Sequence, residues 1–165
     1  MATADDAAAA YEEARRRIAV WRPGEPLDLS WIRALDRLPA EIAELHELRE
    51  LDISWTRVAD LAPLWGLTNL QSLACWDTQV ADLAPLRGLA NLRSLHCGNT
   101  PAADLAPLES LPSLRRLDFH GCGIAVAPPE LWVKPTLEPV RCYHARLPGV
   151  PAEALSADIS ENALP

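Results

Sequence analysis

Residues Leu70 to Asn91 read LQSLACWDTQVADLAPLRGLAN, and this stretch decides the fold because it recurs on both sides of itself. The copy from Leu48 reads LRELDISWTRVADLAPLWGLTN, the copy from Leu92 reads LRSLHCGNTPAADLAPLESLPS, and a fourth begins LRRLDFHGCGI at Leu114. The opening leucines are spaced by 22 residues. Self-similarity at a fixed period predicts a solenoid, in which each unit stacks on its neighbours.

Each unit is predicted to contain one short strand, because apolar residues alternate with polar ones after the opening leucine. The residues expected to point into the core are Leu51 and Ile53, Leu73 and Cys75, Leu95 and Cys97, Leu117 and Phe119, and Val140 and Cys142. An aspartate (Asp60, Asp82 or Asp104) then precedes Leu-Ala-Pro-Leu, where a carboxylate can cap a short helix and proline fits an early helical position. The recurring aspartate is therefore predicted to be structural.

The repeated phrase resembles the leucine-rich repeat, L-x-x-L-x-L-x-x-N-x-L, and its D-L-x-P-L second half is similar to the internalin type. The repeat units of this chain also resemble those of bacterial cytosolic and Roco-like repeat domains. The resemblance covers residues 27–155, with an irregular unit before the core repeats and a decayed one after them. It implies an α/β solenoid, a horseshoe with short parallel strands on the concave face and short helices or turns on the convex face.

The chain departs from the family pattern in three ways. The slot that normally holds asparagine is filled by Thr56, Thr78, Thr100, Cys122 and Ala145. Threonine can still hydrogen-bond there, whereas alanine cannot. Pro101 and the small Ala102 stand in the third core unit, and they predict that this unit is the least regular.

Three segments are expected along the chain. Residues 1–26 form an N-terminal capping helix and linker, residues 27–155 the repeats, and residues 156–165 a C-terminal cap or the start of a further segment. The helix is predicted over 7–20, with Tyr11, Ala14 and Ile18 on one side. Such a helix, with Trp21 as its apolar terminus, covers the exposed end of the solenoid core.

Net charge limits the partners. The chain carries a charge of −8 with a pI near 4.9, which argues against nucleic acid because phosphates are repelled. A basic or mixed protein partner fits better. We expect no membrane association. No apolar run is long enough to span a bilayer, and the acidic side chains at the first helix (Asp5, Asp6, Glu12 and Glu13) oppose binding to anionic lipid. A cytoplasmic monomer is expected, or a secreted effector without a secretory signal peptide.

The four cysteines do not predict a metal or redox site. Cys75, Cys97 and Cys142 occupy inward strand positions, and Cys122 fills the asparagine slot. No C-x-x-C pair is present to begin a zinc site. These thiols are expected to pack as small core groups in the reduced state, without a cofactor.

The outward face of the strands, defined as the side opposite the core, is the predicted binding surface. The residues proposed to bind a partner are Trp31, Trp55, Trp76, Asp77, His96, Asp118, His120, Arg141 and Tyr143. Tryptophan, tyrosine and arginine dominate binding hot spots, because they remove a large area from water and keep a polar group. The alternative is that Trp31 and Trp55 shield the edge of the strand ladder. Trp65 and Trp132 are assigned to packing elsewhere.

His96, His120 and His144 also project from the predicted outward face, which allows a pH-sensitive contact. His96 is expected opposite Asp118, close enough for an ion pair. Charge is graded along the face. Acidic side chains lie early (Glu50, Asp28 and Asp52) and basic ones late (Arg116, Arg141 and Arg146), which would orient a partner.

No local signature of a nucleophile with its base is present, and Gly121-Cys122-Gly123 falls short of a phosphate-binding loop. The chain is therefore predicted to be a non-catalytic protein-interaction module. The alternatives are a sensory or autoinhibitory domain of a larger signalling enzyme, a bacterial effector acting in a host cell, or a hydrolase built on His96 and Asp118. The sequence names neither the partner nor the pathway.

Overall fold

The computed structural model describes residues 3–138. Its five strands form one parallel sheet in chain order: β1 (Leu27–Asp28), β2 (Glu50–Asp52), β3 (Ser72–Ala74), β4 (Ser94–His96) and β5 (Arg116–Asp118). One 3₁₀ helix lies between each pair of consecutive strands, at Ala40–Glu44, Ala62–Leu64, Ala84–Leu86 and Ala106–Ser110. Two α-helices, α1 (Ala4–Val20) and α2 (Pro129–Trp132), stand near the two ends of the described part. The predicted repeat solenoid with short parallel strands is confirmed.

The register of the sheet follows the repeat period. Leu51 pairs with Leu73, Leu73 with Leu95, and Leu95 with Leu117. All four leucines are buried, as are Ile53, Cys75, Cys97 and Phe119 on the same side of the strands. The predicted inward positions in the described repeats are therefore confirmed, and they belong to one continuous hydrophobic core.

The threonines in the asparagine slot satisfy backbone carbonyl groups at the bend. Thr56 Oγ1 donates to the Ile53 carbonyl at 2.7 Å, and Thr78 and Thr100 make the same bond at 2.6 and 2.7 Å. Cys122 Sγ contacts the Cys97 carbonyl at 3.1 Å. A threonine hydroxyl thus replaces the amide at three of these buried bends, as predicted, and the Cys122 thiol does so at the fourth.

The recurring aspartates start the 3₁₀ helices. Asp60, Asp82 and Asp104 each accept a hydrogen bond through Oδ1 from the amide two residues later, at 2.7 Å in every unit. Proline follows at an early helical position. The structural role predicted for these carboxylates is confirmed.

Helix α1 covers the first repeat but begins earlier than the predicted Ala7. Thr3 and Asp6 form a capping box, in which the Asp6 amide donates to Thr3 Oγ1 and the Thr3 amide donates to Asp6 Oδ2. These bonds from Thr3 lower the pKa of Asp6. Ala14 and Ile18 are buried as predicted, whereas Tyr11 is only partly buried and Ala10 takes its place.

The same helix also provides a hydrogen-bond donor to the backbone of β1, the edge strand of the sheet. Arg17 Nη1 donates to the backbone carbonyl of Asp28 in β1 at 2.9 Å, while Arg17 Nε contacts Glu13. An unpaired strand edge invites pairing with another chain. Helix α1 therefore protects both the core and part of the backbone at this end.

The two tryptophans assigned to packing behave differently. Trp132 packs against the core and lies 6.3 Å from Phe119 between ring centroids, as expected. Trp65 is 74% exposed, so its assignment to packing was wrong. It directly follows a 3₁₀ helix whose Leu64 already fills the core position, which leaves the indole outside.

Predictions for the last unit lie outside the described residues. They concern Val140, Arg141, Cys142, Tyr143, His144, Ala145, Arg146 and the segment 155–165.

Candidate functional site

Two columns of side chains on the outward face form the centre of the candidate surface. The first joins Glu50, Ser72, Ser94 and Arg116 across neighbouring strands, and the second joins Asp28, Asp52, Ala74, His96 and Asp118. Each column begins acidic on β1 or β2. The change from Glu50 to Arg116 follows the predicted charge gradient over the described strands.

Trp31 and Trp55 lie just beyond β1 and β2 rather than within them. Both adopt left-handed backbone conformations, with φ of 61° and 60°, which is uncommon for a residue other than glycine. Their amides donate to Ser54 and Trp76 carbonyls in the next unit, at 3.0 and 2.9 Å. The repeat ladder holds this conformation at the same place in each unit, where Asp77, Asn99 and Gly121 also have positive φ.

The indoles of Trp31 and Trp55 stack on one another. Their centroids are 4.8 Å apart with an interplanar angle of 11°, and they remain 56% and 36% exposed. The Arg33 guanidinium lies 5.1 Å from the Trp31 ring centroid. The pair is therefore a fixed aromatic platform beside the strands, and its exposure agrees with the prediction of solvent-facing rings.

Trp76 occupies a different place, one residue earlier in its unit than Trp55. Its ring is 39% exposed and meets His120 edge to face, at 5.9 Å between centroids and 87° between planes. These two residues flank Gly98, which has no side chain to separate them. A Cβ at Gly98 would collide with the His120 ring.

Asp118 fixes the position of His120. Its Oδ1 lies 2.7 Å from His120 Nδ1 and also accepts a hydrogen bond from the His120 amide at 3.1 Å. His96 is in register with Asp118, as predicted, and its Nε2 lies 2.9 Å from Ser94 Oγ. The ion pair that the structure describes is with His120, so the pair with His96 stays a prediction.

Asp77, also proposed for the surface, is half-buried and contacts the neighbouring unit. Asn99 Nδ2 donates to Asp77 Oδ2 at 3.3 Å. The structure thus brings Trp76, Asp77, His96, Asp118 and His120 onto one face, with Trp31 and Trp55 beside it. Arg141 and Tyr143 lie outside the described residues.

A groove of about 470 Å³ crosses the early part of the outward face. Its lining includes three carboxylate residues, Asp28, Glu50 and Asp52, together with Trp76 and His96. Small side chains at Ser72 and Ala74 lie between these two groups. The charges and the aromatic residue are evident from the sequence, whereas the depression is visible only in the structure.

Two further features were missed. Both belong to a third column on the outward face, formed by Ser54, Trp76, Gly98 and His120 at the 22-residue spacing. Gly98 has no side chain, which allows Trp76 and His120 to meet. Ser54 is only 3% exposed, and its Oγ has no hydrogen-bond partner among residues 3–138. The change of side-chain size along this third column was the available signal.

The cysteines of the described repeats are free and buried. Burial in the core raises the pKa of Cys75 to about 12 and raises the pKa of Cys97 well above its usual value. A neutral, enclosed thiol is a poor nucleophile, because the thiolate is the reactive form. Their environment agrees with a packing role.

Within the described part of the chain, no group of three or more His, Cys, Asp or Glu side chains is arranged to hold a metal ion. None of the helices there has the length and apolar character needed to cross a membrane.

Comparison with known proteins identifies the repeats. The family model for leucine rich repeats (2 copies) matches residues 68–110. No curated protein matches the chain by sequence search.

Solved structures match over more of the chain. Internalin C2 of Listeria monocytogenes is 30% identical with a TM-score of 0.66, and the match covers 72% of this chain and 51% of internalin C2. This chain therefore spans about half the length of that relative.

Two more distant structures share the fold. A leucine-rich repeat protein of Leptospira interrogans is 20% identical, with a TM-score of 0.64 over 76% of this chain and 37% of that one. The plant peptide hormone receptor RGFR1, in complex with RGF2, is 19% identical, with a TM-score of 0.59 over 67% of this chain and 19% of the receptor.

Proposed function

Since the chain is a leucine-rich repeat protein with internalin-like repeats, we propose that it binds a protein partner on its outward, concave face and performs no catalysis. Proteins of this fold generally mediate protein–protein interactions and are typically non-enzymatic scaffolds. The observation that carries the proposal is the exposure of Trp31, Trp55 and Trp76 at 56%, 36% and 39% on and beside one face.

Three exposed indoles in neighbouring units form a large apolar surface, at positions where the repeat does not require an aromatic residue. Core leucines already fill the interior of each unit. Contiguous exposed apolar surface is characteristic of interaction sites, and tryptophan is enriched among hot-spot residues. The known complex of RGFR1 with RGF2 supports a binding role for a protein of this fold.

The geometry supports docking without rearrangement. Trp31 and Trp55 are stacked, Trp76 contacts His120, and Asp118 fixes His120 by two hydrogen bonds. Side chains that are already held lose less conformational entropy on binding. The surface is therefore suited to a rigid partner interaction.

Charge supports a protein partner over nucleic acid. The net charge of −8 repels a phosphate backbone, and three carboxylates line the groove on the outward face. We propose that this binding takes place in the cytoplasm, because free, buried thiols suit a reducing compartment. We also propose that the chain is a monomer. Size-exclusion chromatography with light scattering tests the monomer.

The proposal predicts that Trp76→Ala weakens partner binding by about 2 kcal/mol or more, roughly 30-fold in Kd, with little change in thermal stability. The reason is that Trp76 contributes an exposed ring to the surface and only an edge contact to the fold. Affinity capture from the native cell, followed by titration of the captured partner, measures the effect.

Leu95→Ala is the control. Leu95 is fully buried, so the substitution is expected to cost about 2 to 5 kcal/mol of stability while the folded fraction still binds. Equal capture by wild type and Trp76→Ala would contradict the proposed surface. A large fall in melting temperature for Trp76→Ala would make Trp76 a packing residue.

A further inference from the structure

We infer that the groove between Asp28, Asp52 and Trp76 takes a cationic side chain, arginine or lysine, from a basic segment of the partner. This inference rests on the proposed function and names the chemistry of the partner. Three features of the groove support it: the carboxylates at its acidic end, the small Ala74 on its floor and the Trp76 ring that forms its wall.

The carboxylates at the acidic end lie side by side, and no basic side chain among residues 3–138 forms an ion pair with them. Asp28 and Asp52 are directly in register on β1 and β2, and Glu50 is two residues before Asp52 on the same face. Like charges placed opposite one another on a sheet are destabilising. The nearest described contact with a basic residue is that of Arg17, which donates to the backbone carbonyl of Asp28 and pairs its guanidinium with Glu13 instead.

Both aspartates are held in place by the backbone. Asp28 Oδ1 accepts from the Ser30 amide and Asp52 Oδ1 accepts from the Ser54 amide, each at 2.8 Å. Within residues 3–138, Oδ2 of each aspartate accepts no side-chain or backbone hydrogen bond. Two fixed carboxylates on adjacent strands can receive a guanidinium or ammonium group without first being ordered.

The floor and wall of the groove suit the rest of a long basic side chain. Ala74 stands in register between Asp52 and His96, so only a methyl group lies between the acidic end and the far side. An aliphatic stem can cross this apolar floor. The exposed Trp76 ring borders the groove and offers a face for a cation.

The size of the groove also suits a single long side chain. The groove has a volume of about 470 Å³ and is open to solvent on the outward face.

The test compares two charge-matched triple variants. The groove variant is Asp28→Asn, Glu50→Gln and Asp52→Asn, which keeps the Oδ1 acceptors for the serine amides. The control is Glu44→Gln, Glu47→Gln and Glu109→Gln, three exposed carboxylates that do not line the groove. Both variants change the net charge equally, so non-specific attraction affects them alike.

The probe is a fluorescein-labelled peptide, GSRGSRGSRG, measured by fluorescence anisotropy at physiological salt, with GSEGSEGSEG as the acidic counterpart. We expect wild type to bind the basic peptide, the groove variant to bind at least tenfold more weakly, and the control variant to stay within twofold of wild type. Circular dichroism verifies that all three proteins fold.

Equal weakening by both triple variants would overturn the inference, because it would show only net-charge attraction. Absence of binding to wild type, or equal binding of the acidic peptide, would also overturn it. If any of these outcomes is found and Trp76→Ala still weakens partner capture, the proposed function stands and only the basic-segment inference fails.

Discussion

Gly98 illustrates how one absent side chain shapes the candidate surface. It lies between Trp76 and His120 in the same column of the outward face, and the His120 ring occupies the space that a Cβ would need. A larger residue at this position would keep the two rings apart. The edge-to-face contact therefore depends on a residue that contributes no contact of its own.

Gly98→Ala is expected to expel the His120 ring from its place, with a cost of about 1 kcal/mol and loss of the Asp118 contact. The backbone itself accepts alanine at position 98, because no positive φ is found there. Thermal unfolding, with imidazole chemical shifts of His120, measures both effects.

Gly123→Ala is the matched control, since nothing lies within 4 Å of the added Cβ and φ is again not positive. Its stability is expected to equal or slightly exceed that of wild type. If Gly98→Ala behaved like Gly123→Ala and left the His120 shifts unchanged, the described packing would be wrong.

At the scale of the element, a described repeat combines a strand of two or three residues with a bend and, before the next strand, a 3₁₀ helix. None of these pieces is stable alone, because so short a segment forms few hydrogen bonds for the conformational entropy that it loses. Hydrogen bonds from side chains satisfy backbone groups at the bend and at the start of the 3₁₀ helix. The Asp82 carboxylate receives the Ala84 amide, and the Thr78 hydroxyl donates to the Cys75 carbonyl.

Asp82→Ala is therefore expected to destabilise the protein by about 1 kcal/mol, by leaving the Ala84 amide without its acceptor. Asp82→Asn keeps a side-chain oxygen and should remain close to wild type. Urea unfolding, read as the midpoint at constant m-value, compares the two. Equal losses in both variants would assign the effect to charge instead of the hydrogen bond.

At the scale of the whole molecule, the stacked units share one hydrophobic core that includes Cys75 and Cys97. Because burial raises the pKa of both thiols in the folded chain, they stay protonated at a pH where the unfolded chain ionises them. Unfolding then releases protons. The free energy of unfolding must fall as the pH rises above the ordinary thiol pKa.

From pH 8 to pH 10, we expect the raised pKa of Cys75 to reduce the free energy of unfolding by about 1.4 kcal/mol, and the raised pKa of Cys97 to act in the same direction. Chemical denaturation at several pH values measures the slope. The Cys75→Ala, Cys97→Ala double variant should be less stable at pH 8, because of the cavities, but should lose this part of the pH dependence. An unchanged slope in the double variant would contradict the assignment.

The outcome for Trp65 and Trp76 shows where prediction from sequence succeeds and where it stops. Repeat phase correctly placed Leu95 inside and Trp76 outside. It gave no information on Trp65, whose turn is not fixed by strand alternation, and the packing assigned to it was wrong. The phase of a strand constrains direction strongly because successive side chains point to opposite sides, whereas a bend has no such rule.

The repeated sequence by itself determined the parallel order of the strands, the buried leucines and the roles of the threonines and aspartates, because stacking puts each repeat position into the same surroundings. Only the tertiary structure decided that Trp31 and Trp55 stack, that His120 crosses Gly98 to meet Trp76, and that three carboxylates border one groove. Those contacts join side chains from different units. They depend on the rotamers and sizes of neighbouring residues, which no period along the chain specifies.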